Sequence, residues 1–138
     1  MKKVINSDTI LNIQLFRKVT GIDCTDCFTI NSTAIFITSA GLAGKAVGKQ
    51  GKNIRNLRDT LKKNVKIFEE AADCCGLVKN YLFPIKPKKC EIVDNIVEIE
   101  FNSSRERRFL LDNQQRGLKE LKEILQRYHS EILNIKIL

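Results

Sequence analysis

The strongest constraint on this chain is that it carries one plan twice. Asn64-Val65-Lys66-Ile67-Phe68 and Asn134-Ile135-Lys136-Ile137-Leu138 alternate polar and apolar residues in the same order, and each follows a stretch with helical apolar spacing. A shift of 64 carries Ile54, Leu57 and Leu61 onto Leu118, Leu121 and Leu125, whereas the closing strands need a shift of 70. The second copy therefore holds six extra residues near Tyr128-His129-Ser130. A repeat of this length is a duplicated supersecondary unit, so both halves must reach the same fold.

Periodicity supplies the elements. Ser7-Asp8 is an N-cap signal; Leu11, Leu15 and Val19 place one apolar helical face, and Gly21 ends the run. Residues 27–30 and 33–37 read as strands joined through Asn31-Ser32. A short helix over 42–47, a glycine turn, a basic helix over 52–63 and a strand over 64–68 complete the unit. The second pass starts at Ala71, with a helix through Leu77, Val78, Tyr81 and Leu82 that must stop before Pro84. Strands at 90–93 and 96–101 flank Asp94-Asn95, a short helix ends at Phe109-Leu110-Leu111, and the long helix and closing strand follow. The chain is thus expected to be α+β, with domains 1–69 and 70–138 and no flexible linker. Halves of this size bury only about 60% of their unfolded surface, so the two are expected to pack as one rigid body.

The chemistry concentrates at Gly48-Lys49-Gln50-Gly51, between the two helices of the first copy. Glycine lets a backbone turn tightly and approach a ligand. A helix opening at Lys52 would aim free N–H groups and its positive end at that turn, which suits an anion. Lys45, Lys49, Lys52 and Arg55 crowd positive charge around it, Gln50 can hydrogen-bond a phosphate or sugar oxygen, and Ile54, Val47 and Ile37 read either as apolar surface for a base or as core. The spacing excludes other glycine motifs. A P-loop needs four residues between its first glycine and Gly-Lys, and Gly44 to Gly48 leaves three; a dinucleotide fingerprint needs glycine where Ala46 stands.

Charge agrees with a polyanionic partner. Of the formal +8, residues 1–69 carry +7 and residues 70–138 only +1, so the excess sits with the glycine turn. Nothing is apolar and long enough to span a membrane, and the start Met1-Lys2-Lys3-Val4 lacks a signal-peptide core. A cytoplasmic protein is expected. His129 is the only histidine and no nucleophile or paired-carboxylate signature occurs, which points away from an enzyme and from a small-molecule substrate. Cys24-Thr25-Asp26-Cys27 has metal-ligand spacing but no second such pair, so the five cysteines read as reduced, packed thiols and no cofactor or metal is expected.

The order helix, two strands, helix, Gly-x-x-Gly, helix, strand resembles a type II K-homology (KH) domain, whose loop clamps a nucleotide backbone. Two in tandem resemble the archaeal NusA-like transcription factors, most specifically over residues 41–54 and more weakly at Asp26-Cys27 and Phe83-Pro84. The resemblance implies a non-enzymatic protein that binds single-stranded RNA through Lys45, Gly48, Lys49, Gln50, Gly51, Lys52, Ile54 and Arg55. It also implies RNA polymerase as a partner in elongation, termination or antitermination. A KH protein of ribosomal RNA maturation, and a polymerase-interaction module with vestigial RNA binding, remain alternatives. The second copy departs from the pattern: Asp112-Asn113-Gln114-Gln115 stands where the loop should be, and Gln115 is expected to resist glycine's backbone angles. Arg105, Arg107, Arg108 and Arg116 could still form a less specific basic surface there.

The missing second ligand pair generates a direct expectation. Elemental analysis of the purified protein should find no stoichiometric zinc, and a chelator should leave its melting temperature unchanged.

Overall fold

A computed structural model describes residues 7–138, so the Met1-Lys2-Lys3 start lies outside the described residues. The first half runs α1 (Ser7–Thr20), β1 (Asp26–Ile30), β2 (Thr33–Thr38), α2 (Ala43–Val47), α3 (Lys52–Leu61) and β3 (Asn64–Glu69). The second runs α4 (Cys74–Leu82), β4 (Lys89–Val93), β5 (Ile96–Glu100), α5 (Ser104–Tyr128) and β6 (Asn134–Ile137). The chain divides after Glu70 into two compact units. Each is α+β, built on a three-stranded mixed sheet.

In the first unit β1 pairs antiparallel with β2, and β2 pairs parallel with β3, with Thr33 opposite Asn64 and Thr38 opposite Glu69. The hairpin turns at Asn31, whose φ of 48° is the left-handed conformation that asparagine tolerates. The parallel pair forces a crossover, which α2 and α3 provide. Phe16 from α1 stacks on Phe36 from β2 with ring centroids 4.6 Å apart. Ile22, Cys27, Ala34, Ala46, Leu57 and Val65 close the core around that pair, with Ile54 and Leu61 packed at its edge.

The inward face of α1 differs from the sequence reading. Leu11 is 61% exposed, and Phe16 is the one fully buried side chain of the helix. Ile13, Leu15 and Val19 pack beside it. An aromatic ring removes more apolar area from water than any of the aliphatic candidates, so the helix is rotated to bury it.

The second unit repeats the topology: β4 antiparallel to β5, and β5 parallel to β6. Its hairpin turns through Asp94 and Asn95, both left-handed, as a two-residue turn between twisted strands requires. The crossover is α5, whose first arm is capped by the Ser103 hydroxyl accepting from the Glu106 N–H at 3.2 Å. The helix is interrupted at residues 112–115. The six extra residues are divided evenly: three lengthen the second arm of α5 beyond the end of α3, and three lengthen the connection to β6. Leu110, Leu121, Ile124 and Leu125 of α5 are fully buried, as are Val97 and Ile99 of β5.

One polar pair lies within this core. The Tyr81 hydroxyl donates to Glu120 Oε1 at 2.8 Å, and both residues are buried. Burial, followed by the charge of Glu120 and this hydrogen bond, pushes the phenol far above its ordinary range, so it stays a donor at any working pH. Tyr81→Phe removes this donor from a buried carboxylate and should lower the unfolding free energy by about 1.5–3 kcal/mol, read by urea denaturation followed by circular dichroism. Glu120→Gln keeps an acceptor for the hydroxyl and should cost less.

Candidate functional site

The crossover of the first unit turns at Gly48-Lys49-Gln50-Gly51, where a single 3-10 turn over Lys49–Gly51 joins α2 to α3. Gly48 has φ 84° and ψ 164°, a region essentially closed to residues with a Cβ. Gln50 (φ 54°, ψ 28°) and Gly51 (φ 73°, ψ 19°) are left-handed. The Gly51 N–H donates to the Gly48 carbonyl at 3.0 Å, which closes the turn. α3 then starts with no side-chain cap from Gly51, and its first N–H, that of Lys52, donates back to the Lys49 carbonyl.

Three contacts hold this turn. The Arg55 guanidinium, one turn into α3, donates to the Gln50 carbonyl. Asn53 lies so close to Gly48 that a Cβ there would sit 2.8 Å from Asn53 Cγ and 3.0 Å from its backbone nitrogen. At the other end of α2, the Glu69 carboxylate of β3 accepts from the Ala43 N–H at 3.3 Å. Neither Asn53 nor Glu69 stands out in the sequence. Glu69 lies 26 residues from its partner, and only the parallel pairing brings it there.

All eight residues singled out in the sequence fall on this one feature. Lys45, Lys49, Gln50, Lys52 and Arg55 are exposed, and Gly48, Gly51 and Ile54 are half-buried. Arg58, Lys62 and Lys63 extend the exposed positive charge along and beyond α3. Two readings become sharper. Arg55 braces the turn as well as adding charge, and of the two readings of Ile37 the core one holds, since it is only 2% exposed. Ile54 is half-buried and packs against the edge of the core. Among the described residues no group of three or more His, Cys, Asp or Glu side chains is placed to hold a metal.

The second unit makes a related turn without glycine. Asp112 has φ −69° and ψ 163°, and Asn113, Gln114 and Gln115 are all left-handed, with φ of 56°, 60° and 62°. Gln114 and Gln115 thus repeat the angles of Gln50 and Gly51, so Gln115 does take the glycine-type conformation that its side chain was expected to resist. The differences lie in the two positions before: Asp112 keeps an ordinary negative φ where Gly48 has 84°, and Asn113 is left-handed where Lys49 is not. The space needed for the arms to cross is made elsewhere, because a Cβ on Gly117 would lie 2.8 Å from the Phe109 carbonyl oxygen. At the repeat offset of 64, Gly117 aligns with Asn53, the residue that crowds Gly48.

Beside this second turn is an open cavity of about 640 Å³ lined by Ile85, Arg105, Arg108, Phe109 and Asp112, among others. The Arg107 guanidinium instead donates to the Ser104 hydroxyl at 3.0 Å. Arg116 is exposed just past the turn.

The chain as a whole is similar to several known proteins. Over its full length the chain is 27% identical to a protein of Methanocaldococcus jannaschii described as probable transcription termination protein NusA, covering 77% of that relative. The corresponding Halococcus morrhuae protein is 29% identical over 72% of either chain. The Methanococcus vannielii protein is 31% identical over 86 residues, 62% of this chain. The chain is a homologue of these archaeal NusA proteins. It spans about half the length of the Methanococcus vannielii NusA protein (50%). The crystal structure of APE1850 superimposes with a TM-score of 0.78 at 26% identity, covering 97% of this chain and all of that one. No family model matches the sequence. Among the described residues no helix is long and apolar enough to cross a membrane.

The two glycines of the first turn should respond differently to a side chain. Gly48→Ala meets both a forbidden φ/ψ region and the Asn53 backbone, and should destabilise by at least about 2 kcal/mol in denaturant unfolding. Gly51→Ala meets only ordinary contacts at 3.4 Å and beyond, and should cost about 1 kcal/mol for its left-handed φ. Adding Asn53→Gly to Gly48→Ala should recover the side-chain share of the clash and leave the dihedral share.

Proposed function

We propose that the chain is a tandem KH-type RNA-binding protein of the transcription machinery, with domains 1–69 and 70–138. On this reading the first domain clamps the backbone of single-stranded RNA. Gly48 and Gly51 admit the phosphates, Lys45, Lys49 and Lys52 neutralise them, and Gln50 hydrogen-bonds a phosphate or sugar oxygen. Bases lie against Val47 and Ile54, and Arg55 holds the turn in its binding shape while adding charge. A KH loop engages about four nucleotides.

The observation that carries this reading is the uncapped, positively charged start of α3 behind a turn that only glycine at position 48 can make. Oriented N–H groups, a helix's positive end and exposed lysines are what a phosphate chain requires. The similarity to archaeal proteins described as probable transcription termination protein NusA supports the context of transcription termination, and on this reading RNA polymerase is the partner. A binding factor without catalysis and a cytoplasmic location accompany that role.

Titration with a single-stranded RNA oligonucleotide tests the clamp. Each lost charge-assisted contact is worth about 1.5–3 kcal/mol, so replacing Lys49 and Gln50 together by Asp should weaken binding tenfold or more while circular dichroism stays unchanged. Asn113→Asp with Gln114→Asp should cost much less, because Asp112 already repels phosphate there. With three or four phosphate contacts, log K should fall with log salt at a slope of about −2 to −3. A slope near zero, equal affinity for duplex, or an equal loss in the second-domain variant would reject the assignment.

A further inference from the structure

Two thiols that the sequence keeps fifteen positions apart meet in the second unit. Cys75 lies in the first turn of α4 and Cys90 lies in β4, and both are half-buried. The Cys90 Sγ–H points at Cys75 Sγ across 3.2 Å. A disulfide needs about 2.05 Å between sulfurs, so the two have only ~1.2 Å further to approach.

We propose that Cys75 and Cys90 form a reversible dithiol–disulfide site, oxidised by exchange with a small-molecule disulfide. The geometry orders the steps. Cys75 accepts the hydrogen bond and attacks as thiolate, breaking the S–S bond of the reagent, releasing one small thiol and leaving a mixed disulfide on Cys75. Cys90 then gives its proton to solvent, attacks the Cys75 sulfur and expels the second small thiol. Two protein thiols lose two electrons, and the reagent disulfide gains them as two thiols.

Within the second unit Cys74 does not compete. Burial, then its neighbours' charges, pushes the Cys74 thiol up to about 11, and its side chain is shut away from solvent. Consecutive residues hold their Cα atoms about 3.8 Å apart, below the usual disulfide range, so Cys74 cannot readily bridge to Cys75. Burial raises Cys90 as well, which keeps it protonated and leaves the first attack to Cys75. Cys27 is buried in the first unit. The closed loop contains Ile85, a wall of the cavity beside the second turn, so oxidation tethers that wall at both ends.

The test uses the full reduced chain incubated with glutathione disulfide, quenched with an alkylating agent in denaturant and analysed by peptide mass spectrometry. The expected product carries three alkylated thiols where the unoxidised chain carries five, yields a linked Cys75–Cys90 peptide at least tenfold over any other linkage, and reverts with dithiothreitol. Cys90→Ser should stop at the mixed disulfide on Cys75, because no resolving thiol remains. A persistent mixed disulfide in the unaltered chain, linkage of another pair, or no reaction at Cys75 overturns the proposal.

Discussion

The parallel pairing of β2 with β3 organises the first unit. Parallel neighbours cannot be joined by a tight turn, so the chain between them must leave the sheet and return. Here it leaves as α2, returns as α3, and reverses at Gly48–Gly51. The helices find their seat because Ala46 and Leu57 are buried with the stacked Phe16–Phe36 pair on the sheet. The last residue of β3, Glu69, ties the start of α2 to the strand that α3 has just delivered. The turn is therefore a small irregular segment fastened at both ends to regular structure, the arrangement that lets loop residues face a partner from a rigid support.

The two units show that this architecture does not depend on one particular glycine. Where α2 and α3 meet, Gly48 gives way to Asn53; where the arms of α5 meet, Gly117 gives way to the Phe109 carbonyl. The close approach is kept and the small residue changes sides. The cost falls on Asn113, Gln114 and Gln115, three successive left-handed residues, at about 1–2 kcal/mol each for the two glutamines and less for asparagine, whose side chain suits that region. The second turn also brings an acidic residue, Asp112, to the position of Gly48, so the two units offer an anion different surfaces on one topology.

What was legible in the sequence was what depends on near neighbours. Both hairpins, both closing strands and the end of α4 before Pro84 follow from alternation and turn residues, and the eight loop residues are contiguous enough that any correct helix–turn–helix brings them together. The misses have a common cause. Leu11 and Phe16 compete for the inward face of α1, and only the ring of Phe36 opposite decides in favour of Phe16. Ile37 looks available to a base until all six positions of β2 prove to be buried. Glu69 with Ala43, Tyr81 with Glu120, and Cys75 with Cys90 are partners across 26, 39 and 15 residues, and no local pattern announces them. Gln115 takes glycine's angles at the cost its side chain implies, because dihedral preference is a local energy that the fold of the flanking helical arms can outweigh.

A crossover also imposes an order in time. During synthesis the β1–β2 hairpin is complete once Thr38 has emerged, and its contacts are local. The turn at Gly48–Gly51 is by then not yet made, and after it is made it still lacks its anchor until Glu69 arrives at the far end of β3. Closing that span carries a loop entropy that the hairpin never faces. The nascent first unit thus passes through a stage with a finished hairpin and an unfastened turn, and the bend between α2 and α3 is the last part to acquire its shape.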